Sequence, residues 1–214
     1  GYGIARVPRV KGSRYPKANV AAFAPMTVGG RRAHPPKVDK ITHEKINKKE
    51  RIFAILSAIS ATASFNTVSY RGHLLSAIPQ LPLIVSNDLE KVSTAKEFKE
   101  VAISLGLWND IERVKNKIKI RAGKGKIRGR RYKIGKGPLI VVSDHIPLIY
   151  ATKNFPGVEV IRACDLSVMH LAPGGIPGRL TVWTQAAIEV LRKRFFIYEN
   201  KFLLKLNVFS YSKG

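Results

Sequence analysis

Apolar side chains return at Ile52, Leu56, Ile59 and Ala63, a spacing of i, i+4, i+7 and i+11 that predicts a helix over Lys45 to Ala63. Further on, Thr94 stands three residues before Glu97. A threonine hydroxyl there can accept from the N3 amide while the glutamate reaches back, so a helix is expected to start at this point. Phe98, Val101, Ala102 and Leu105 follow on one face, and Gly106 suits the end. A short helix is expected over Asn109 to Lys117, and another from Thr184 to about Phe195 with Ile188 and Leu191 inward. Between these lie short apolar runs: Thr67 to Tyr70, Leu83 to Ser86, Leu139 to Val142, Val158 to Ile161 and Leu180 to Trp183. Most are continuous rather than alternating, as in strands buried on both faces of a parallel sheet. Pro82 and Pro138 stand at strand starts, where a missing N–H does little harm. Strands alternating with helices imply an α/β fold, a three-layer helix–sheet–helix sandwich with a mostly parallel sheet. No internal repeat is visible.

This pattern stops in two places, and charge explains where. The 214 residues carry a net charge of +24. Residues 1–51 hold +10, 52–111 hold −1, 112–136 hold +11, 137–191 hold −1 and 192–214 hold +5. The near-neutral blocks are the ones with core-forming periodicity. The basic blocks lack the paired anions that burial would demand. An ordinary solvated face mixes both signs, so segregation on this scale is the footprint of a nucleic-acid binder. No segment approaches the roughly 20 apolar residues of a membrane span. No signal peptide is visible, although the sequence starts at Gly1 without a methionine and so is read as lacking its natural start. Cys164 is the single cysteine, so an internal disulfide is impossible.

The first basic block, residues 1–42, has no helical period and no convincing strand, and it is rich in glycine and proline. Ordering a residue's backbone costs about 1–2 kcal/mol, hence tens of kcal/mol over such a length. Its large apolar groups, Tyr2, Tyr15, Phe23 and Met26, return only about 1.5–3 kcal/mol each on burial. Alone it is expected to stay mobile. Arg6, Arg9, Lys11, Arg14, Lys17, Arg31, Arg32, His34 and Lys37 make any surface that orders it polyanionic. The plainer alternative is a disordered basic tail.

The second block, 117–136, reads KIKIRAGKGKIRGRRYKIGK. Arg121, Lys124, Lys126, Arg128, Arg130, Arg131 and Lys133 can reach phosphates, the arginines as planar forks. Tyr132 among them can stack on an unpaired base. Nucleotide-site readings fit poorly. Gly123, Gly125 and Gly129 are spaced one residue too far for a dinucleotide fingerprint and precede a strand rather than follow one. Gly129 to Gly137 is likewise one residue too long for a phosphate loop and lacks its Ser or Thr.

Catalytic signals are weak. His34, His43, His73, His145 and His170 show no metal-ligand spacing, and no metal site or cofactor is expected. Asp144 and Asp165 follow strand ends, where they read as turn or cap residues. Cys164 reads as a small core residue. An RNA-processing enzyme on an α/β scaffold, or a DNA-compacting protein, are the competing readings. The first would need a tuned acid or base in a cleft.

Several motifs in order resemble the universal large-subunit ribosomal protein L-four family in its archaeal and eukaryotic branch. They are Gly1-Tyr-Gly-Ile-Ala-Arg-Val-Pro-Arg-Val, Val28-Gly-Gly-Arg-Arg-Ala-His-Pro-Pro-Lys37, Asn47-Lys-Lys-Glu-Arg51, Arg71-Gly-His73, the run Ile120 to Arg130, Gly137-Pro-Leu-Ile-Val-Val142, Leu171-Ala-Pro-Gly-Gly175 and Gly178-Arg-Leu-Thr181. The resemblance implies a non-enzymatic, cytoplasmic component of the ribosome that binds ribosomal RNA early in large-subunit assembly and takes part in translation. It implies that residues 1–42 form a long basic loop threading RNA toward the polypeptide exit tunnel, with Arg9, Lys11, Arg14 and Tyr15 lining it near the nascent peptide. It implies RNA contacts from Arg71, His73 and the 121–133 residues, and ribosomal protein L-twenty-two as a neighbour. On this reading 43–195 is the globular domain and 196–214 a tail with no family counterpart and no membrane role. The family's first strand and helix are missing ahead of Gly1, which leaves open a truncated sequence or a sheet short of one member.

Overall fold

A computed structural model describes residues 2–144 and 147–196, and its chain divides into two compact units, Gly1–Ile46 and Asn47–Gly214. The tail set apart in the sequence lies, beyond Phe196, outside the described residues, as does His145.

The second unit is an α/β sandwich. Its helices are α1 (Lys48–Ala63), α2 (Phe65–Tyr70), α3 (Ala95–Ser104), α4 (Trp108–Asn116), α5 (Leu148–Thr152), α6 (Val168–Leu171) and α7 (185–196). Its strands are β1 (Leu83–Val85), β2 (Lys119–Ile120), β3 (Tyr132–Lys133), β4 (Leu139–Val142), β5 (Glu159–Arg162) and β6 (Thr181–Thr184). Four strands form a wholly parallel sheet in the order β1-β6-β4-β5, with Ile140 between Val160 and Val182. All four residues of β4 are buried, because a central parallel strand has a core on each side. Leu139 and Val141 pack with Ile55, Leu171, Ala187 and Leu191, from α1, α6 and α7. Ile140 and Val142 pack with Phe98, Ile111 and Leu148, from α3, α4 and α5. The alternation of one strand thus supplies both faces of the sandwich.

The box at the start of α3 forms as its spacing implied: Thr94 Oγ1 accepts from the Glu97 amide at 3.3 Å, and Glu97 Oε2 accepts from the Thr94 amide at 3.4 Å. Three expectations need correction. Thr67 to Tyr70 is no strand but most of α2; Thr67 Oγ1 donates to the carbonyls of Ala61 and Ser64 at the end of α1, which keeps the chain turning, and Val68 is buried. In α1 the inward face holds Ile55, Ala58 and Thr62, with Ile52 and Ile59 partly buried, rather than Leu56 and Ala63. A polar residue takes this core position because Thr62 Oγ1 donates to its own helix at Ile59 O, 2.7 Å away. In α7, Ala187, Leu191 and Phe195 point inward while Ile188 is exposed. Leu56 and Ile188 line an open apolar groove with Ile84 and Trp183 instead.

Glu90 ties the carboxyl ends of two neighbouring strands together. One carboxylate oxygen accepts from the Ser143 amide (2.8 Å) and Thr184 Oγ1 (2.6 Å), and the other from Ser143 Oγ (2.7 Å). Parallel sheets bind ligands in the crevice outside those strand ends; here a side chain of the protein fills it. We expect Glu90→Ala to lower the unfolding free energy by about 2–4 kcal/mol, because it strands donors that are buried beneath it. Urea denaturation measures this, and an unchanged midpoint would show that solvent replaces the carboxylate freely.

Candidate nucleic-acid interface

Residues 2–46 contain no helix and one isolated antiparallel bridge, Arg9 to Ala21. Around it Val10 N donates to Val20 O (3.0 Å), Asn19 N to Val10 O (3.1 Å) and Ala22 N to Pro8 O (2.8 Å), closing a narrow loop. Tyr15 Oη donates to Lys11 O at 2.5 Å and the Arg9 guanidinium to Asn19 O at 2.6 Å, so two of the four proposed tunnel residues also hold the loop's shape. Arg14 and Asn19 take left-handed backbone angles, φ 67° and 61°, which most side chains avoid. Below the loop Thr27 Oγ1 donates to Ala22 O and Ala24 O and accepts from Ala24 N. Gly30 is required beside it, because a Cβ there would lie 1.9 Å from Ala24 O. The cations point outward throughout: Arg6, Arg9, Lys11, Arg14, Lys17, Arg31, Arg32, His34 and Lys37 are all exposed.

The 117–136 block is a hairpin. β2 and β3 pair antiparallel, Lys119 with Lys133 and Ile120 with Tyr132, and a single-turn helix over Lys124–Lys126 caps the loop. Runs of two residues are too short for periodicity to reveal, so the sequence reading missed these strands. Lys124, Lys126, Arg128, Arg130, Arg131, Tyr132 and Lys133 are exposed. Arg121 differs from them. Its guanidinium turns back across the hairpin to Arg130 O (3.0 Å) and Tyr132 O (3.4 Å), so it braces the loop rather than projecting from it.

The hairpin is fixed to the sandwich at its far end. The fully buried Arg179 donates to Gly137 O (2.9 Å), His170 O (2.9 Å), Gly157 O (3.3 Å) and Glu159 Oε2 (2.6 Å). Glu159 also pairs with Lys136. Gly157 has φ +79°, and a Cβ on it would lie 2.8 Å from Gly135 O, so the strand leaving the hairpin runs directly against it. From α4, Arg113 donates to Lys136 O at 3.3 Å and to Asp110 Oδ1 at 2.8 Å. Asp110 is buried and also receives Leu74 N (3.1 Å) and meets His73 Nδ1 (2.9 Å). His73 is therefore packed in the core against Asp110. Arg71 is half-buried and binds the carbonyls of Pro173 and Ile176. Burial, and then the positive charge of Arg179, lower its pKa.

The sequence reading missed Arg179 and Glu159 as anchors. The available signal was an arginine inside a buried apolar run of a near-neutral block. Such a cation must find carbonyls and a carboxylate. Of the catalytic candidates, Asp165 and Asp144 both raise the pKa of Arg162, so they lie near one another. Asp165 pairs with Arg162 at 2.6 Å, and Cys164 is exposed rather than in the core, because it sits on a short helical turn just past β5. Among the described residues no group of three metal-binding side chains comes together, and no helix is long and apolar enough to cross a membrane.

Burial by itself would raise the carboxyl pKa values of Glu159 and Asp110, but their cationic and hydrogen-bonding partners outweigh it and hold both below the ordinary range. A carboxyl lowered on folding adds stability at neutral pH that is lost as pH falls through the lowered value. We expect Glu159→Gln to cost about 1–3 kcal/mol at neutral pH, by weakening the compensation of buried Arg179. The difference from the parent protein should shrink under acid. Denaturation midpoints measured from neutral pH downward test this, and parallel curves for the two proteins would contradict it.

Residues 1–194 match the Ribosomal protein L4/L1 family. Among similar curated proteins, the large ribosomal subunit protein uL4 of Pyrobaculum aerophilum is 57% identical over 196 residues, 91% of this chain and 68% of that one. Those of Sulfurisphaera tokodaii and Methanococcus aeolicus are 56% and 51% identical, over 90% and 91% of this chain and 71% and 75% of theirs.

Proposed function

The chain belongs to the ribosomal protein L4/L1 family, and on that premise we propose that its two basic segments bind large-subunit ribosomal RNA. It is a structural constituent of the large subunit and not an enzyme, and it works on the ribosome, in the cytoplasm, among RNA and other ribosomal proteins.

One observation favours RNA contact through the hairpin. Among the described residues its outward cations have no acidic partner of their own, while Glu159 and Asp110, at its base, are already engaged with Arg179, Lys136, Arg113 and His73. A polyanion of fixed shape is the ligand that this unpaired charge suits. Lys119 and Lys133 stand directly opposite each other, a like-charge pair that destabilises the free hairpin and is relieved by phosphate. Residues 1–42 form the second contact, a loop that threads RNA toward the exit tunnel. The closed turn between Pro8 and Ala22 supports this reading, since it holds Arg9, Lys11, Arg14 and Tyr15 within one small loop. In this account the nascent peptide passes that loop, L-twenty-two lies beside it, and the chain joins the subunit early in its assembly.

Phosphate contacts release counterions, so log affinity should fall linearly with log salt. We expect Lys126→Ala with Arg128→Ala to lower that slope by about 0.7–0.9 per cation removed and to leave the thermal transition unchanged. Filter binding to large-subunit RNA between low and high salt measures both slope and affinity. An unaltered slope in the double variant would remove the hairpin from the interface, and equal affinity for duplex DNA would favour a compacting role instead.

A further inference from the structure

The hairpin over 117–136 has two unlike faces, and on each the strand residues Lys119, Ile120, Tyr132 and Lys133 are exposed among the described residues. Residues opposite each other on paired strands share a face, and successive residues alternate between faces. The register therefore places Ile120 beside Tyr132 on one side and Lys119 beside Lys133 on the other. An amphipathic hairpin ordinarily lays its apolar side on a core. Here Ile120 and Tyr132 are 54% and 57% exposed, and Ile134, two residues further on, is 52% exposed. The main chain at Tyr132 is nevertheless held in place: Arg121 N donates to Arg131 O at 2.8 Å, and the Arg121 guanidinium reaches Tyr132 O. The ring is thus presented on a braced strand. Its hydroxyl makes no hydrogen bond to the described residues.

The occupant of that apolar face has to accept a dense cationic border. Lys124, Lys126, Arg128 and Arg130 stand exposed in the loop that joins Ile120 to Tyr132. An apolar protein patch would carry the cost of facing these charges unpaired. An unpaired nucleotide offers an aromatic face and a phosphate in one ligand, whereas a duplex hides its base faces in the stack. We propose that the Ile120–Tyr132 pair is a stacking platform for an unpaired base of RNA, while Lys119 and Lys133 on the opposite face hold phosphates of a second RNA segment. The hairpin is then a wedge between two strands rather than a strip lying on one. This rests on the reading that the hairpin binds RNA, and it adds which RNA chemistry each face takes.

The test uses the full chain with two probes at matched salt, a single-stranded oligoadenylate of twelve nucleotides and a blunt RNA duplex. Tyr132→Leu keeps an apolar residue beside Ile120 but removes the aromatic face, and Tyr132→Phe keeps that face. The leucine variant should bind the single strand about tenfold or more weakly, with its salt slope unchanged, because stacking is not a counterion effect. Its duplex affinity should stay within about twofold, and the phenylalanine variant should match the parent on both probes. Ultraviolet crosslinking to the oligoadenylate should attach a nucleotide at Tyr132 in the parent. Equal losses on both probes, or no loss with the leucine variant, would overturn the platform and leave the hairpin's phosphate contacts standing. If Lys119→Ala with Lys133→Ala changes neither affinity nor slope on either probe, the reading of the hairpin as an RNA contact fails with it.

Discussion

The guanidinium of Arg179 sits where no water reaches it, and it is tolerated there because three carbonyls and the Glu159 carboxylate accept from it. Those acceptors belong to separate parts of the chain: Gly137 just before β4, Gly157 and Glu159 at the start of β5, and His170 in α6. One side chain therefore fixes where two sheet strands begin and where the basic hairpin ends. A buried cation of this kind is weak evidence of net stability, since desolvation offsets most of its attraction. Its value is geometric. The four bonds hold the hairpin's end, the start of β5 and α6 to one another.

The same bonds divide the charge of the chain into two regimes. At the base of the hairpin charged groups meet in small closed sets: Arg179 and Lys136 with Glu159, and Arg113 with Asp110, which also hydrogen-bonds His73. Outside, on the hairpin, like charge faces like charge. A two-stranded ribbon is marginal in water by itself, and repulsion makes it more so. The fold answers by bracing the ribbon from within through Arg121 and from below through Arg113 and Arg179. A positive surface thereby acquires a fixed shape before any anion arrives, which lowers the ordering cost of binding.

The sandwich was legible in the sequence because its strands are continuous apolar runs and its helices carry end signals. β4 was placed residue for residue, and the box at Thr94 and Glu97 marked α3. Side-chain hydrogen bonds explain what hydropathy missed. Thr62 and His73 look like surface residues by type, yet each is buried on a nearby partner, Ile59 O and Asp110, while Thr67 bonds to the carbonyls at the end of α1 and turns a run read as a strand into a helix. Hydropathy counts such residues as polar and cannot see a bond that cancels the polarity. The cationic segments of the candidate site were plain from charge alone. What charge could not separate was role: Arg121 and Lys133 look alike in the string, but one clasps the hairpin and the other projects from it. That difference depends on a fold of the chain across nine residues, which no local pattern encodes.

The entropy of residues 2–46 can be reconsidered in this light. Their composition argued that too little apolar surface exists to order them, and the absence of any helix agrees with it. Yet the bonds around Thr27 and between Pro8 and Ala22 show that order need not come from burial. A segment can be shaped locally by backbone bonds, a required glycine and two left-handed residues while its side chains remain outside. Such bonds are individually worth about 0.5–1.5 kcal/mol, too little to hold forty residues in one form but enough to restrict each turn. RNA would then have to select among a few arrangements of small preformed loops instead of ordering a free coil. That is a smaller cost, and one that phosphate contacts from the exposed arginines and lysines can meet.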